Sequence, residues 1–294
     1  MVKFIRQQEL DEDAWNQCVK KHGQGRPFLF TWYLDTVCER WNALVYEDYE
    51  WIMPLPSYKP FGVEYCVTPP WVYAMFPIGP QAHNPEKQAE MCALFREHWP
   101  AEIKYTRLPG LQGDSEKGGR QKLFWWQCGP ESLALRADEH LLADNEDYTL
   151  FKNDPPEALI ELMFRKRTER HPFDRHARER LKHLMHVGIY KRRGQVWSLY
   201  DRSNTLSAGA YMLYDAECIT IVTLAGRNEK DRREERRLLW HILKEAEPYS
   251  VRVEWYGSAE GHDLVNALYP DVKLIPEFYL NRLPWHLNWY RPEA

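Results

Sequence analysis

Val251-Arg252-Val253-Glu254-Trp255-Tyr256-Gly257-Ser258 alternates apolar and polar side chains, the period-two pattern of a β-strand. Its surroundings fix its place in a fold. Upstream, 231–247 reads as a long helix with Leu239, Ile242, Leu243 and Ala246 on one stripe. Before that helix come three strands, Val196–Tyr200, Leu206–Tyr214 and Cys218–Leu224. Downstream, a short helix at His262–Tyr269 precedes a last strand at Leu274–Leu280.

Further outward, Tyr148–Lys152 is a short strand, and Asp154-Pro155-Pro156-Glu157 has the form of a capping box. The helix it opens carries Leu159, Leu162 and Met163. Asp174 is expected to cap the next helix, with Ala177, Leu181, Leu184 and Met185 inside and Gly188 as its stop.

The first half repeats this order. Asp11 caps a helix with Trp15, Cys18, Val19 and His22 on one face, and Gly23 ends it. Thr31 opens a second helix whose stripe is Leu34, Val37, Cys38 and Trp41. Strands follow at Ala43–Tyr46, Trp51–Leu55, Tyr65–Thr68 and Val72–Phe76. Asn84-Pro85 starts a helix, with Met91, Leu94, Phe95 and His98 aligned, and strands at Glu102–Arg107 and Leu123–Gln127 close the half. The repeated order predicts a duplicated α/β (α+β) unit with mixed sheets, divided as 1–147 and 148–294.

Composition narrows the function. With 294 residues, 44% hydrophobic and 28% charged, the chain is expected to fold as one large or two ordinary globular domains. No run approaches the ~20 apolar residues of a membrane-spanning helix, and the first residues lack the apolar core of a secretory signal. The six Cys are scattered without a C-x-x-C pair, which predicts free thiols, a reducing cytoplasmic location, no disulfide and no zinc cage. G-x-G-x-x-G, Walker, G-x-S-x-G and H-E-x-x-H motifs are absent, and the Gly-rich stretch 110–119 reads as a connection.

The net charge of −4 conceals a division, since residues 1–150 hold 15 Lys+Arg against 22 Asp+Glu. Residues 165–193 hold eleven Lys+Arg against three acids, which makes Arg175, Arg178 and Lys182 candidates for anion binding or members of a solvated helix face. His171, His176, His183 and His186 lie in this basic stretch with no third ligand for a pair on one face, so no metal is expected.

Asn266-Ala267-Leu268-Tyr269-Pro270-Asp271-Val272, following the strand that ends Glu254-Trp255-Tyr256-Gly257-Ser258, resembles the GNAT acyltransferase stretch written A-x-x-L-Y-x-x-x-G-F, with Val272-Lys273 in place of Gly-Phe. With the repeated element order, the chain resembles the double-GNAT proteins, among them the FemABX peptidoglycan aminoacyltransferases and uncharacterised bacterial relatives. Trp41-Asn42-Ala43-Leu44-Val45, Met53-Pro54-Leu55-Pro56 and Leu283-Pro284-Trp285 are also similar to that uncharacterised bacterial group.

The resemblance implies an N-acyltransferase moving an acyl or aminoacyl group to an amine on a small molecule or peptide, with acyl-CoA or aminoacyl-tRNA as donor. It places a donor site at the turn into the long helix. That turn reads Ala225-Gly226-Arg227-Asn228-Glu229-Lys230-Asp231-Arg232-Arg233 and lacks the glycines with which GNAT enzymes bring backbone amides to a pyrophosphate. Arg227, Arg232 and Arg233 there, whose other reading is solvated charge at the helix start, and Ser258 after the next strand are the donor-binding candidates, and tRNA would give the basic segment a partner. Tyr269 corresponds to the general acid, its other reading being a core tyrosine. Glu254 is the candidate base, its other reading being a surface carboxylate paired to an Arg. A protein of this fold that binds a ligand or partner without catalysis is the alternative function.

Overall fold

The computed structural model describes residues 1–58, 65–66, 69–72, 76–82, 84–98, 102–106, 122–128, 148–165, 172–228, 232–257 and 272–281. The chain divides into two compact units, Met1–Leu123 with Ile275–Ala294, and Phe124–Leu274.

In the first unit, β1 (Val2–Arg6), β2 (Arg40–Tyr46), β3 (Trp51–Tyr58) and β4 (Tyr65–Cys66) pair antiparallel in sequence order. β4 then pairs parallel with β5 (Glu102–Thr106) through Cys66 and Ile103. Helix α1 (Glu12–His22) is capped by the Asp11 carboxylate, which accepts from the Ala14 amide at 3.0 Å. It buries Trp15, whose indole N–H donates to the Leu29 carbonyl and whose ring stands 5.2 Å from that of Trp41. Helix α2 (Thr31–Val37) ends before Trp41, which lies on β2 rather than on the helical stripe expected for it. Val72 and Phe76 lie outside any strand, and the unpredicted β1 supplies the edge beside β2. Helix α3 (Pro85–His98) starts where expected, with the Glu86 amide donating to Asn84.

The second unit repeats the pattern. β7 (Tyr148–Lys152), β8 (Gly194–Asp201), β9 (Leu206–Tyr214) and β10 (Cys218–Gly226) form an antiparallel series, and β10 pairs parallel with β11 (Arg252–Gly257). One face is covered by Leu238, Leu239, Ile242, Leu243 and Ala246, packed on Trp197, Leu199, Met212, Ile221 and Val253. These helical residues belong to α6 (Arg233–Ala246). The other face receives α4 (Pro156–Phe164) and α5 (Pro172–Tyr190). Gly209 lies close under α4, where an added Cβ would stand 2.8 Å from Leu159 Cδ1.

Three local expectations change here, the first being that α5 opens at Pro172, ahead of the Asp174 expected to cap it. Asp154 does not cap α4; its carboxylate accepts from the Tyr200 hydroxyl at 2.8 Å, and Pro155 stands at the cap position. Gly188 does not stop α5, which runs through it to Tyr190. The missing side chain makes room for Tyr211, whose hydroxyl donates to the Leu184 carbonyl.

Each unit takes its last strand from the other half of the chain. In the first unit β12 (Val272–Asn281) pairs antiparallel with β5, from Glu277↔Thr106 to Asn281↔Glu102. In the second, β6 (Lys122–Cys128) pairs antiparallel with β11, from Val253↔Cys128 to Gly257↔Phe124. The compact units thus exchange their closing strands, the first taking β12 and the second β6.

Candidate functional site

Parallel strands that separate leave a crevice at their carboxyl ends, a common place for a ligand. In the second unit β10 and β11 pair only from Cys218↔Arg252 to Ile221↔Trp255. Directly beyond, β10 carries a bulge between Ile221 and Thr223, then continues against β9 to Gly226 while β11 continues against β6 to Gly257. Leu224, Ala225 and Gly226 are half-buried along this stretch.

Glu254 stands at the foot of the separation, opposite Thr220 of β10 and Gln127 of β6 in register. It is 0% exposed, so it is not a surface carboxylate. Arg252 Nε donates to its Oε1 at 2.6 Å, and the Arg252 side chain is itself 16% exposed. Cys218 and Thr220 are buried beside them in register.

The β10–α6 connection is held by contacts within the chain. Arg227 hooks back over the β8–β9 turn: its Nη2 and Nε donate to the Leu206 carbonyl at 2.7 and 3.2 Å, and its Nη1 donates to Asp201 Oδ2 at 3.1 Å. Asp201 also accepts from the Ser203 hydroxyl and from the Ser203 and Thr205 amides, and these bonds hold its pKa down at about 2. The Arg227 amide donates to the Ser207 carbonyl at 2.8 Å, so the alternation of a strand turns the Gly226 amide away from β9. There it meets the carboxylate of Glu235.

Glu235 is the residue that sequence reasoning missed. Sitting in the first turn of α6, it is 4% exposed, and both Nε and Nη2 of Arg232 lie 2.6 Å from its Oε2. Burial pushes its carboxyl above the usual range, while Arg232 and the Gly226 amide pull the other way. Arg232 adopts a left-handed conformation, φ 51°, at the cap position of α6. A glutamate in the first turn of a helix, within reach of the cap residue, was the available signal.

Arg233 is exposed at the start of α6. On α5, Lys182 is exposed and Arg178 lies with its guanidinium 5.9 Å from the Phe164 ring, both off the buried line of Ala177, Leu181 and Leu184. Arg175 belongs to the same helix, with its side chain outside the described residues. Ser258 and Tyr269 also lie outside the described residues. His186 donates from Nδ1 to the Lys182 carbonyl and approaches Glu157 at 3.5 Å. Among the described residues no three His, Cys, Asp or Glu side chains are grouped to hold a metal ion, and no helix is long and apolar enough to cross a membrane.

No protein-family model matches the chain by sequence, and no curated protein does. Solved structures match over nearly its whole length. FemX is 9% identical with a TM-score of 0.58, covering 99% of this chain and 100% of its own. A tandem GNAT protein from the clavulanic acid biosynthesis pathway is 12% identical with a TM-score of 0.57, covering 97% of this chain and 99% of its own. The N-myristoyltransferase of Saccharomyces cerevisiae, solved with bound myristoyl-CoA, is 9% identical with a TM-score of 0.52, covering 95% of this chain and 80% of its own. The repeated sheet order, the separating parallel pair and these likenesses agree: the chain has the double-GNAT acyltransferase fold.

Proposed function

We propose that the chain is an N-acyltransferase of the Fem type, carrying an aminoacyl group from tRNA to an amine on a small molecule or peptide. The observation that carries this reading is the β10–α6 connection. Arg227 and Arg232 hold Leu206, Asp201 and Glu235, and a buried carboxylate sits at the Gly226 amide. A coenzyme A pyrophosphate seeks positive groups and free amides at such a turn. An aminoacyl-tRNA has no pyrophosphate to place at that turn, and the charged backbone of the tRNA would find Arg175, Arg178 and Lys182 on α5.

In the transfer, the acceptor nitrogen bonds to the acyl carbon as the ester C–O bond breaks. One ammonium proton leaves to a base and one proton returns to the ribose oxygen. Tyr269 is assigned the second step, and Glu254, at the foot of the separating strands, the first. Arg233 and Ser258 would meet the donor.

A second reading is a protein of this fold that binds its ligand without catalysis. The complete burial of Glu254 against Arg252 favours it. The test is release of labelled amino acid from aminoacyl-tRNA into an amine product, with acetyl-CoA in parallel. Transfer from aminoacyl-tRNA supports the first reading; tRNA binding without transfer supports the second. Transfer from acetyl-CoA alone overturns the donor assignment.

A further inference from the structure

A strand end that turns into a helix offers an anion two kinds of donor: amides no longer used by the sheet, and the partial positive charge of the first helical turn. In the second unit the Gly226 amide points to the side of β10 where pairing with β11 has already ended. α6 begins at Arg233. The place is filled by the chain itself, because the Glu235 carboxylate accepts from Gly226 and from the Arg232 guanidinium at once. The approach is close: a Cβ on Gly226 would stand 2.7 Å from Glu235 Cγ and 3.2 Å from its Oε1. Glu234, next to it in the same first turn, adds a second negative charge.

We infer that Glu235 is a specificity-determining residue, whose carboxylate occupies the position a donor phosphate would need and so keeps phosphate-terminated acyl carriers out of the β10–α6 turn. This rests on the reading of the turn as the donor side of the site. A phosphate arriving there would have to take both the amide and the guanidinium from a carboxylate already buried at 4% exposure. Glycine at 226 is what lets the glutamate come so close, so the residue that would admit a phosphate backbone-first serves here to admit the chain's own anion.

The experiment titrates the full chain calorimetrically with inorganic pyrophosphate and with coenzyme A, comparing wild type, E235Q, E235A and E245Q. Glu245 is exposed, paired to Lys152 and at the opposite end of α6 from Glu235, and serves as a control for net charge. Wild type and E245Q are expected to give no binding at millimolar ligand. E235Q keeps the shape and removes the charge, and is expected to gain about tenfold or more in pyrophosphate affinity. E235A, which also removes the bulk, is expected to gain at least as much; if it fails to fold, E235Q carries the test. Micromolar binding by wild type overturns the inference, and so does a folded E235Q that binds no better than wild type. An equal gain in E245Q also overturns it. Aminoacyl transfer plays no part in these titrations, so the donor class and the role of Glu235 stand or fall separately.

Discussion

Removing the charge of Glu254 tests how firmly the carboxylate assigned as base is held in its buried ion pair. Its oxygen stands 2.6 Å from Arg252 Nε, with the two side chains 0% and 16% exposed. Breaking a buried pair by removing one partner costs about 3–5 kcal/mol, and the partial exposure of Arg252 argues for the lower figure, about 3 kcal/mol. For a unit of this size each kcal/mol lowers Tm by about 2–4 °C, so E254Q is expected to melt about 10 °C below wild type by circular dichroism. R252M should fall comparably, because it removes the guanidinium 2.6 Å from the buried carboxylate. The double variant R252M/E254L, compared with R252M and E254L alone, removes both charges and should lose less than half of the about 6 kcal/mol to which the two single losses add. E254Q melting within about 2 °C of wild type, with no coupling in the cycle, refutes the packed-pair account. Independently of the melting result, a loss of transfer in E254Q greater than its loss of folded protein marks the carboxylate as the base.

Three other outcomes follow from the geometry. G188A would put a Cβ 2.0 Å from the Tyr211 hydroxyl, so it should lower the urea midpoint by the equivalent of about 1–3 kcal/mol, and adding Y211F should restore part of it. Asp201 has its pKa lowered from 3.8 to about 2, so it stabilises the fold above about pH 4 and loses that contribution as the pH falls towards 2; D201N should flatten that part of the stability–pH curve. R175Q/R178Q/K182Q should lose tRNA binding in a salt titration while keeping the wild-type melting curve, since Arg178 and Lys182 lie off the buried stripe of α5; unchanged binding would move the tRNA contact elsewhere.

The order of elements was legible because periodicity is local: the Leu239–Ala246 stripe and the Val251–Trp255 alternation need no knowledge of their partners. Trp41 was misplaced because it stands seven residues after Leu34 and so matches a helical stripe by spacing, although its indole packs from a strand. Gly188 failed as a helix stop because tertiary packing uses its missing side chain to seat Tyr211. The environment of Glu254 was not legible either. Alternation suggests that one face meets water, but this sheet carries helices on both faces, and on its buried face the Glu254 carboxylate is paired with Arg252. Which strand closes which unit is a third kind of information. β6 and β12 present the same pleat to any neighbour, and nothing in their own sequence names the partner.

That exchange of closing strands has a consequence for synthesis. As the chain leaves the ribosome, β5 is complete while β12, its antiparallel neighbour through Ile103↔Leu280, is still to be made more than half a chain later. The first unit must wait with an open edge at β5, the kind of unpaired strand on which newly made chains aggregate. The second unit meets no such delay, because β6 is already present when β11 emerges. Folding should therefore finish first in the unit that is translated later. The earlier one would be the slow step and the natural client of a chaperone, since contacts so distant in sequence form late.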